Sequence, residues 1–373
     1  MNFIFRTDAS NDIGSGHVMR CLTIADALSK KGVNCSFICR AHEGSFLELI
    51  REHDFEAHAL PLPLSIKGQL AKQSLGSEFD IAHANWLGVE WQIDAEETKI
   101  VIGNKKVDCL IVDHYSIDMK WESAMRSSCD HLMVIDDLAN RPHDCDLLLD
   151  QNFDEVYRYS DLVPSNCLLL IGPRYALLRN EFQIARLQKK SNTVNRILVF
   201  FGGTDIDDIT GATLRALCKT DLSKIWVDIV VGSNYCNIDL LEKLSAQRGR
   251  TQIFKSLPHL ADLMATADLA IGAVGITNWE RMCVGLPSIV ISVADNQNPI
   301  SERLHNLGAV NWLGSASDVN DEIIYEAIKE EISDKKFISR REIASNLCDG
   351  KGLDRVLAKM IELIEIPYIN NIS

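Results

Sequence analysis

The sequence predicts an α/β protein built from two doubly wound, parallel-sheet domains facing a cleft, with a helical C-terminal segment. Three observations lead there. Short apolar runs rich in β-branched residues recur without polar/apolar alternation, the pattern of strands buried on both faces. Amphipathic segments of helical period separate them. The runs also form two series, parted near residues 176–195 where "LLRNEFQIARLQKKSNTVNR" turns charged and then polar.

The first series contains "NFIF" (2–5), "VNCSFIC" (33–39), "VDCLIVD" (107–113), "HLMVID" (131–136), "DLLLD" (146–150) and "CLLLIG" (167–172). The second contains "RILVFFGG" (196–203), "WVDIVVG" (226–232), "TQIFK" (251–255), "DLAIGA" (268–273) and "SIVISV" (288–293). Between strands, "HVMRCLTIADALSKKG" places Val18, Cys21, Leu22, Ala25 and Leu28 on one face and stops at Gly32. "DDITGATLRALCK", "DLLEKLSAQRG" and "HLADLMATA" follow the same logic. Residues 62–90 are less regular and read as an extended loop with a short helix, and the chain from Ser315 to Ile366 reads as wholly helical. The expected divisions are two Rossmann-like domains, 1–185 and 190–350, and a C-terminal helix and tail at 351–373.

Composition narrows the function. A chain of 373 residues suits two domains, and 46% apolar with 24% charged residues is ordinary for a globular protein. A net charge of −14 argues against a nucleic-acid groove or a stable hold on an anionic membrane, both of which favour basic patches. It leaves room for an anionic small ligand, because backbone amides and helix termini hold phosphate without net positive charge. "MNFIFR" is too short for a signal sequence and no apolar run approaches the ~20 residues of a membrane span, so a cytoplasmic protein is expected. The 11 cysteines are scattered, and Cys35 and Cys39 share a strand, which reads as buried hydrophobes in a reducing compartment.

In open α/β sheets ligands bind beyond the carboxyl ends of the strands, so the residues to watch follow each strand. After the first comes "RTDASNDIGSGH", where Gly14 and Gly16 permit a tight turn and His17 opens a helix at N1. The positive end of the helix dipole disfavours an imidazolium there and favours the neutral ring that a general base needs. A histidine capping the helix or filling the loop is the equal alternative. Asp8 is a candidate to fix the His17 tautomer, and Arg20, one turn on, a cleft-edge charge. Asp113, His114 and Tyr115 reach a second strand end together, Asp136 and Asp137 a third, and Asn152 a fourth. Each alone reads as a cap or turn residue; together they favour a polar pocket for a polyhydroxylated or amide-bearing substrate. The paired aspartates raise a metal site, but neither an H-x-x-x-H pattern nor a cysteine cluster accompanies them.

The second series carries phosphate-type signals. "FFGGTDIDDIT" has two glycines, then Thr204 and Asp205 leading into a helix. "AIGAVGITNWERMCVGLP" has Gly272 and Gly275, then Thr277 and Asn278 at a helix start, with Glu280 in the first turn to accept from a ribose. "VADNQNPI" adds Asp295, Asn296 and Gln297 after the last strand. No G-K-[ST] follows either glycine loop, which excludes a Walker loop.

These motifs resemble the UDP-sugar hydrolases of pseudaminic acid biosynthesis, the PseG family. The matching stretches run in order from residue 6 to about 310: "RTDASNDIGSGHVMRC", "LIVDHY", "IDDLANRPHDCDLLLDQN", "GPRYALLRNEF", "FFGGTD", "ADLAIGAVGITNWERMCVGLPS" and "ADNQ". The second-domain motif also resembles that of the lipid-intermediate N-acetylglucosaminyltransferases of peptidoglycan synthesis, and both families share the two-Rossmann-domain GT-B fold. The resemblance implies hydrolysis of UDP-2,4-diacetamido-2,4,6-trideoxy-β-L-altropyranose to UDP and the free sugar, with inversion, no metal and no cofactor. It implies His17 as general base, and Asp8, Gly14, Gly16, Arg20, Asp113, His114, Tyr115, Asn152 and Arg174 around the sugar. It implies Gly203, Gly232, Leu257, Ile271, Gly275, Ile276, Thr277, Asn278 and Glu280 among the contacts of the UDP-binding domain, with Gly272–Glu280 at diphosphate and ribose and the uracil paired by backbone near "KSLPHLADLMATADLAI"; Asn296 and Gln297 are placed to read the sugar's hydroxyl or acetamido groups. Ala9 and Val274 stand where the family commonly has glycine. The alternatives are a GT-B glycosyltransferase, a hydrolase of a neighbouring UDP-diacetamido sugar, and a non-catalytic UDP-sugar-binding module.

Overall fold

The computed structural model describes residues 1–63, 83–104, 106–152, 155–188, 191–203, 205–232 and 235–365. Two compact units divide the chain. The first holds seven strands: β1 (Asn2–Thr7), β2 (Asn34–Arg40), β3 (Glu56–Leu60), β4 (Val107–Asp113), β5 (Cys129–Ile135), β6 (Leu147–Asp150) and β7 (Leu168–Ile171). They form one parallel sheet in the order β3-β2-β1-β4-β5-β6-β7. The second holds six: β8 (Arg196–Phe200), β9 (Trp226–Val231), β10 (Thr251–Lys255), β11 (Leu269–Ala273), β12 (Ser288–Ser292) and β13 (Asn311–Ser315). Their order is β10-β9-β8-β11-β12-β13, again all parallel.

The unbroken apolar runs follow from what covers them. In β1, Phe3 and Phe5 pack into one core with Val18, Cys21, Leu22 and Leu28 of the helix Gly16–Ser29, while Ile4 points into a second core with Trp121 and Leu132. Both faces are dry there, so Phe3, Ile4 and Phe5 are all apolar. Ala9 and Val274 are 1% and 3% exposed and act as core residues.

Two strands lack such a run, and both lie at sheet edges. β3 carries Glu56 and His58 and buries only Leu60 fully, and β13 is half-exposed along its length. An edge strand covered on one side has no continuous apolar run to betray it. β13 also precedes directly the segment expected to be helical from about Ser315. Ser315 ends a strand, and the helices that follow are Asp321–Ser333, Lys336–Leu347 and Gly352–Glu365. Most of the irregular stretch 62–90 lies outside the described residues; its end forms a short 3-10 turn, Ala84–Leu87.

The chain leaves the first unit after Leu177 and returns to it at Gly352. The final helix inserts Val356, Leu357 and Met360 into the β1 core. Its first residue must be glycine, because a Cβ there would stand 2.3 Å from the Ala176 carbonyl oxygen.

Each sheet has one topological switch point, between β1 and β4 in the first unit and between β8 and β11 in the second. Loops diverge to opposite faces there and leave a crevice at the carboxyl ends of the strands.

Candidate active site

At the first switch point, Thr7 closes β1 and pairs in register with Asp113, the last residue of β4. The loop after β1 folds back through a Ser10–Gly14 bridge, with Gly14 at φ 78°, where a side chain is disfavoured. The helix then starts at Gly16, so His17 is its second residue, not its first. No side chain caps this helix end and no acidic residue occupies its first turn.

The partner of His17 is Asp113, not Asp8. His17 Nδ1 lies 2.6 Å from Asp113 Oδ1. Arg20 grips the same carboxylate with Nε at 2.5 Å from Oδ2 and Nη2 at 2.6 Å from Oδ1. Asp113 is wholly buried; burial pushes its pKa up, but Arg20 and then His17 pull it down to about 2. A fixed carboxylate on Nδ1 holds the ring proton on that nitrogen and leaves Nε2 as the acceptor. Among the described residues no protein group engages Nε2, although the ring as a whole is only 6% exposed.

Asp8 is bound elsewhere. Its Oδ1 accepts from Arg6 Nη1 at 2.7 Å and from the Arg40 amide at 2.6 Å. Burial opposes its charge, but Arg6 and then His114 hold the carboxyl well below the usual range. Arg6 and Arg40 meet again on Asp94, which also accepts from Trp121 Nε1 at 3.0 Å. This buried charge network underlies the site without opening into it. His114 belongs to it. Its Nδ1 accepts from the Ser116 amide at 3.1 Å, and its Nε2 faces Asp8 Oδ2 at 3.1 Å, off hydrogen-bonding alignment. Burial lowers the His114 pKa, which keeps the ring neutral.

Asp137 is a residue that sequence reasoning notices at a strand end but does not place among the substrate contacts. It collects Arg20 Nη1 at 3.3 Å, Tyr115 Oη at 2.5 Å and Asn152 Nδ2 at 2.9 Å. Burial and then Asp137 raise the Tyr115 pKa well above its ordinary value, so the phenol stays a donor. The Tyr115 ring stands edge-on to the His17 ring, with centroids 4.5 Å apart. Behind Asp137, the buried Asp150 is pushed up to about 7 by burial and by the Asp137 charge. Arg174 lies apart, in the turn after β7, with its guanidinium over the Tyr175 ring.

In the second unit the two glycine loops differ in a way that the sequence does not reveal. Thr204 lies outside the described residues. Asp205 turns its own carboxylate onto the helix Ile209–Leu217, accepting from the Ile209 and Thr210 amides at 3.1 and 2.8 Å. An internal anion therefore already occupies that helix end. The helix Ile276–Val284 has Gly275 as its cap, no side-chain cap bond and no acid in its first turn. Of the two, its amide end is the one left open. Thr277 is half-buried there, and Asn278, 1% exposed, has an Nδ2 with no partner among the described residues. Glu280 falls in the second turn, not the first, where burial raises its carboxyl to about 7 against the pull of Arg179 and Arg281. Ile271 is a fully buried core residue of β11, and Ile276 and Leu257 are half-buried. Gln297 spends its Oε1 on the Val293 amide at 3.0 Å, while Asn296 is exposed.

Gly203 and Gly232 meet directly. A Cβ on Gly232 would stand 1.9 Å from the Gly203 carbonyl oxygen, whereas one on Gly203 meets nothing within 4 Å. Gly232→Ala is therefore expected to shift backbone at the end of β8 and to cost about 1–3 kcal/mol. Gly203→Ala is expected to stay within about 0.5 kcal/mol of wild type. Thermal melts of the two variants check this pair.

The fold and site define a class. This is a GT-B protein, with two doubly wound parallel sheets and an imidazole–carboxylate–guanidinium set at the switch point of the first. The match to solved structures agrees: the Acinetobacter baumannii MurG crystal structure superposes with a TM-score of 0.64, over 97% of this chain and 99% of that one, at 13% identity. The resemblance read in the motifs is borne out in sequence. The chain is 26% identical over 280 residues, 74% of its length and 87% of the relative's, to the UDP-2,4-diacetamido-2,4,6-trideoxy-beta-L-altropyranose hydrolase of Campylobacter jejuni. It is also 26% identical over 269 residues, 71% of its length and 79% of the relative's, to the spore coat polysaccharide biosynthesis protein SpsG of Bacillus subtilis. No family model matches the chain.

Proposed function

We propose that this chain is an enzyme acting on UDP-sugars, and that it hydrolyses a UDP-linked 2,4-diacetamido-2,4,6-trideoxyhexose to UDP and the free sugar. The observation that carries the reading is the His17–Asp113 contact of 2.6 Å at Nδ1, which leaves Nε2 to take a proton. The relative in C. jejuni is named for the same reaction class.

His17 Nε2 removes a proton from water, and the hydroxide oxygen attacks the anomeric carbon. The glycosyl C–O bond breaks on the opposite face, so the configuration inverts and UDP leaves with the bonding pair. The open amide end of the helix Ile276–Val284, with Thr277 beside it, suits a diphosphate, whose charge grows as UDP leaves. Arg20 and Asn152, fixed by Asp137, keep further N–H donors for the sugar's hydroxyl and acetamido oxygens, while Tyr115, whose one hydroxyl proton goes to Asp137, offers only an acceptor.

The test is incubation with a panel of UDP-diacetamido-trideoxyhexoses in ¹⁸O-water, without an acceptor, followed by NMR and mass spectrometry. The expected result is stoichiometric UDP, the inverted anomer at first, and the label on the sugar's C1 oxygen. Release only when an acceptor is supplied would make the chain a transferase. Label in the phosphate would place the attack on phosphorus and overturn the mechanism.

A further inference from the structure

A cluster of aromatic rings flanks His17, and no motif announces it. Trp86 and His83 belong to the turn before and within Ala84–Leu87. Their ring centroids are 4.2 Å apart. Trp86 stacks on Tyr115 at 5.9 Å and 26°, and His83 lies 5.5 Å from the same ring. Both Trp86 and Tyr115 stand nearly perpendicular to the His17 ring, at 77° and 85°. Tyr115 is buried, whereas Trp86 and His83 remain half-buried.

The turn is held from several directions. The Ser116 hydroxyl donates to the His83 carbonyl. Leu87 is buried in the core. Gly88 follows at φ 77°, packed so closely that a Cβ would meet Leu62 at 2.8 Å and His42 at 3.0 Å. So many anchors on a half-exposed indole fix its plane in advance, which a ligand contact needs and a surface residue does not.

The surroundings of Tyr115 are two-sided. Its hydroxyl joins Asp137 with Arg20 and Asn152, and its ring face joins Trp86 and His83. A ligand resting beside His17 meets polar donors on one side and an aromatic shelf on the other. A hexose that has lost a hydroxyl and carries acetamido groups has that division: amide oxygens for the donors, and methyl and ring C–H groups for a π face.

We infer that Trp86, backed by Tyr115 and His83, grips the apolar side of the hexose and selects for deoxy and acetamido substituents. This rests on the proposed action on a UDP-diacetamido sugar. The indole does not touch the proton in transfer, so its contribution falls on substrate binding more than on the chemical step.

The experiment compares the full-length wild type with Trp86→Ala and Trp86→Phe, using a UDP-2,4-diacetamido-2,4,6-trideoxyhexose and, separately, UDP. Trp86→Ala is expected to lower kcat/KM about tenfold, mostly through KM, the scale set by lost apolar groups in a pocket. UDP affinity by calorimetry is expected to stay at the wild-type value, which also reports an intact fold. Trp86→Phe is expected to restore most of the loss. An unchanged KM in Trp86→Ala, a parallel loss of UDP affinity, or no rescue by phenylalanine would each overturn the inference. If the wild type releases no UDP, hydrolysis fails as a reading, yet the shelf is still tested. Calorimetric affinity for the sugar nucleotide then either falls in Trp86→Ala relative to UDP, or stays level and overturns it.

Discussion

His17→Asn is expected to lower turnover of the UDP-sugar by ~10²–10⁴-fold, the usual contribution of a positioned general base. UDP binding is expected to change little, because the proposed nucleotide contacts lie on the other unit. The asparagine retains a donor for Asp113 and roughly the shape of the ring, so the variant removes the acceptor and little else. Asp113 also keeps both bonds to Arg20, at 2.5 and 2.6 Å, which leaves no buried carboxylate stranded. Thermal stability is therefore expected to stay close to wild type. Initial rates of UDP release, UDP calorimetry and a melt on the same preparation make the check. Wild-type turnover in His17→Asn would remove the imidazole from the mechanism.

Much of this architecture is legible in the sequence because a parallel sheet covered on both faces needs apolar residues at every position. Runs as short and as uniformly apolar as "CLIVD" and "SIVIS" suit a buried strand and little else, and the strands they mark lie where expected. What escapes a linear reading is governed by partial burial or by contacts distant in sequence. β3 and β13 sit at edges and carry polar side chains. Asp8 attracts attention as the tautomer-fixing carboxylate because it is close in sequence, but the sheet places Asp113, 96 residues from His17, beside the ring. The switch point is the reason. β1 and β4 are neighbours only once the strand order is known, and a linear reading does not supply that order.

The same limit separates the two glycine loops. "GGTD" and "GAVGIT" read alike as phosphate cradles, yet Asp205 folds onto its own helix while Gly275 leaves the following helix uncapped. An aspartate four residues before a helical amide can face a ligand or its own helix, and here both Asp205 oxygens accept from helix amides. Trp86 escapes for a further reason. A tryptophan in an irregular polar stretch carries no periodicity, and its part in the site exists only through rings contributed by β4's end and the first helix.

The largest combined effect is expected at Asp113, because one carboxylate serves both the base and the fold. In Asp113→Asn a single carbonyl oxygen replaces two anionic ones. Arg20, 4% exposed, competes for that oxygen with several donors, and its next acceptor, Asp137, is 3.3 Å away. The amide then turns its N–H₂ toward His17 Nδ1 and draws the ring proton to Nε2, where it blocks the acceptor. Turnover is expected to fall by ~10²–10⁴-fold from the wrong tautomer alone. The stranded guanidinium is expected to cost about 3–5 kcal/mol in addition, the penalty for breaking a buried ion pair from one side. Because both substitutions disable one unit, His17→Asn combined with Asp113→Asn should lose little more activity than the worse single variant. The acid limb separates the two roles. A carboxyl whose pKa is lowered from 3.8 to about 2 in the fold stabilises it fully above pH 4. That contribution is lost as pH falls through 2. Wild type should therefore shed stability across that interval in a step that Asp113→Asn lacks, whereas His17→Asn, which keeps the Arg20–Asp113 pair, should retain most of it. Melting temperatures of the three proteins from pH 2 to 6 provide the measurement, and parallel curves for wild type and Asp113→Asn would show that the carboxylate does not carry the stabilisation assigned to it.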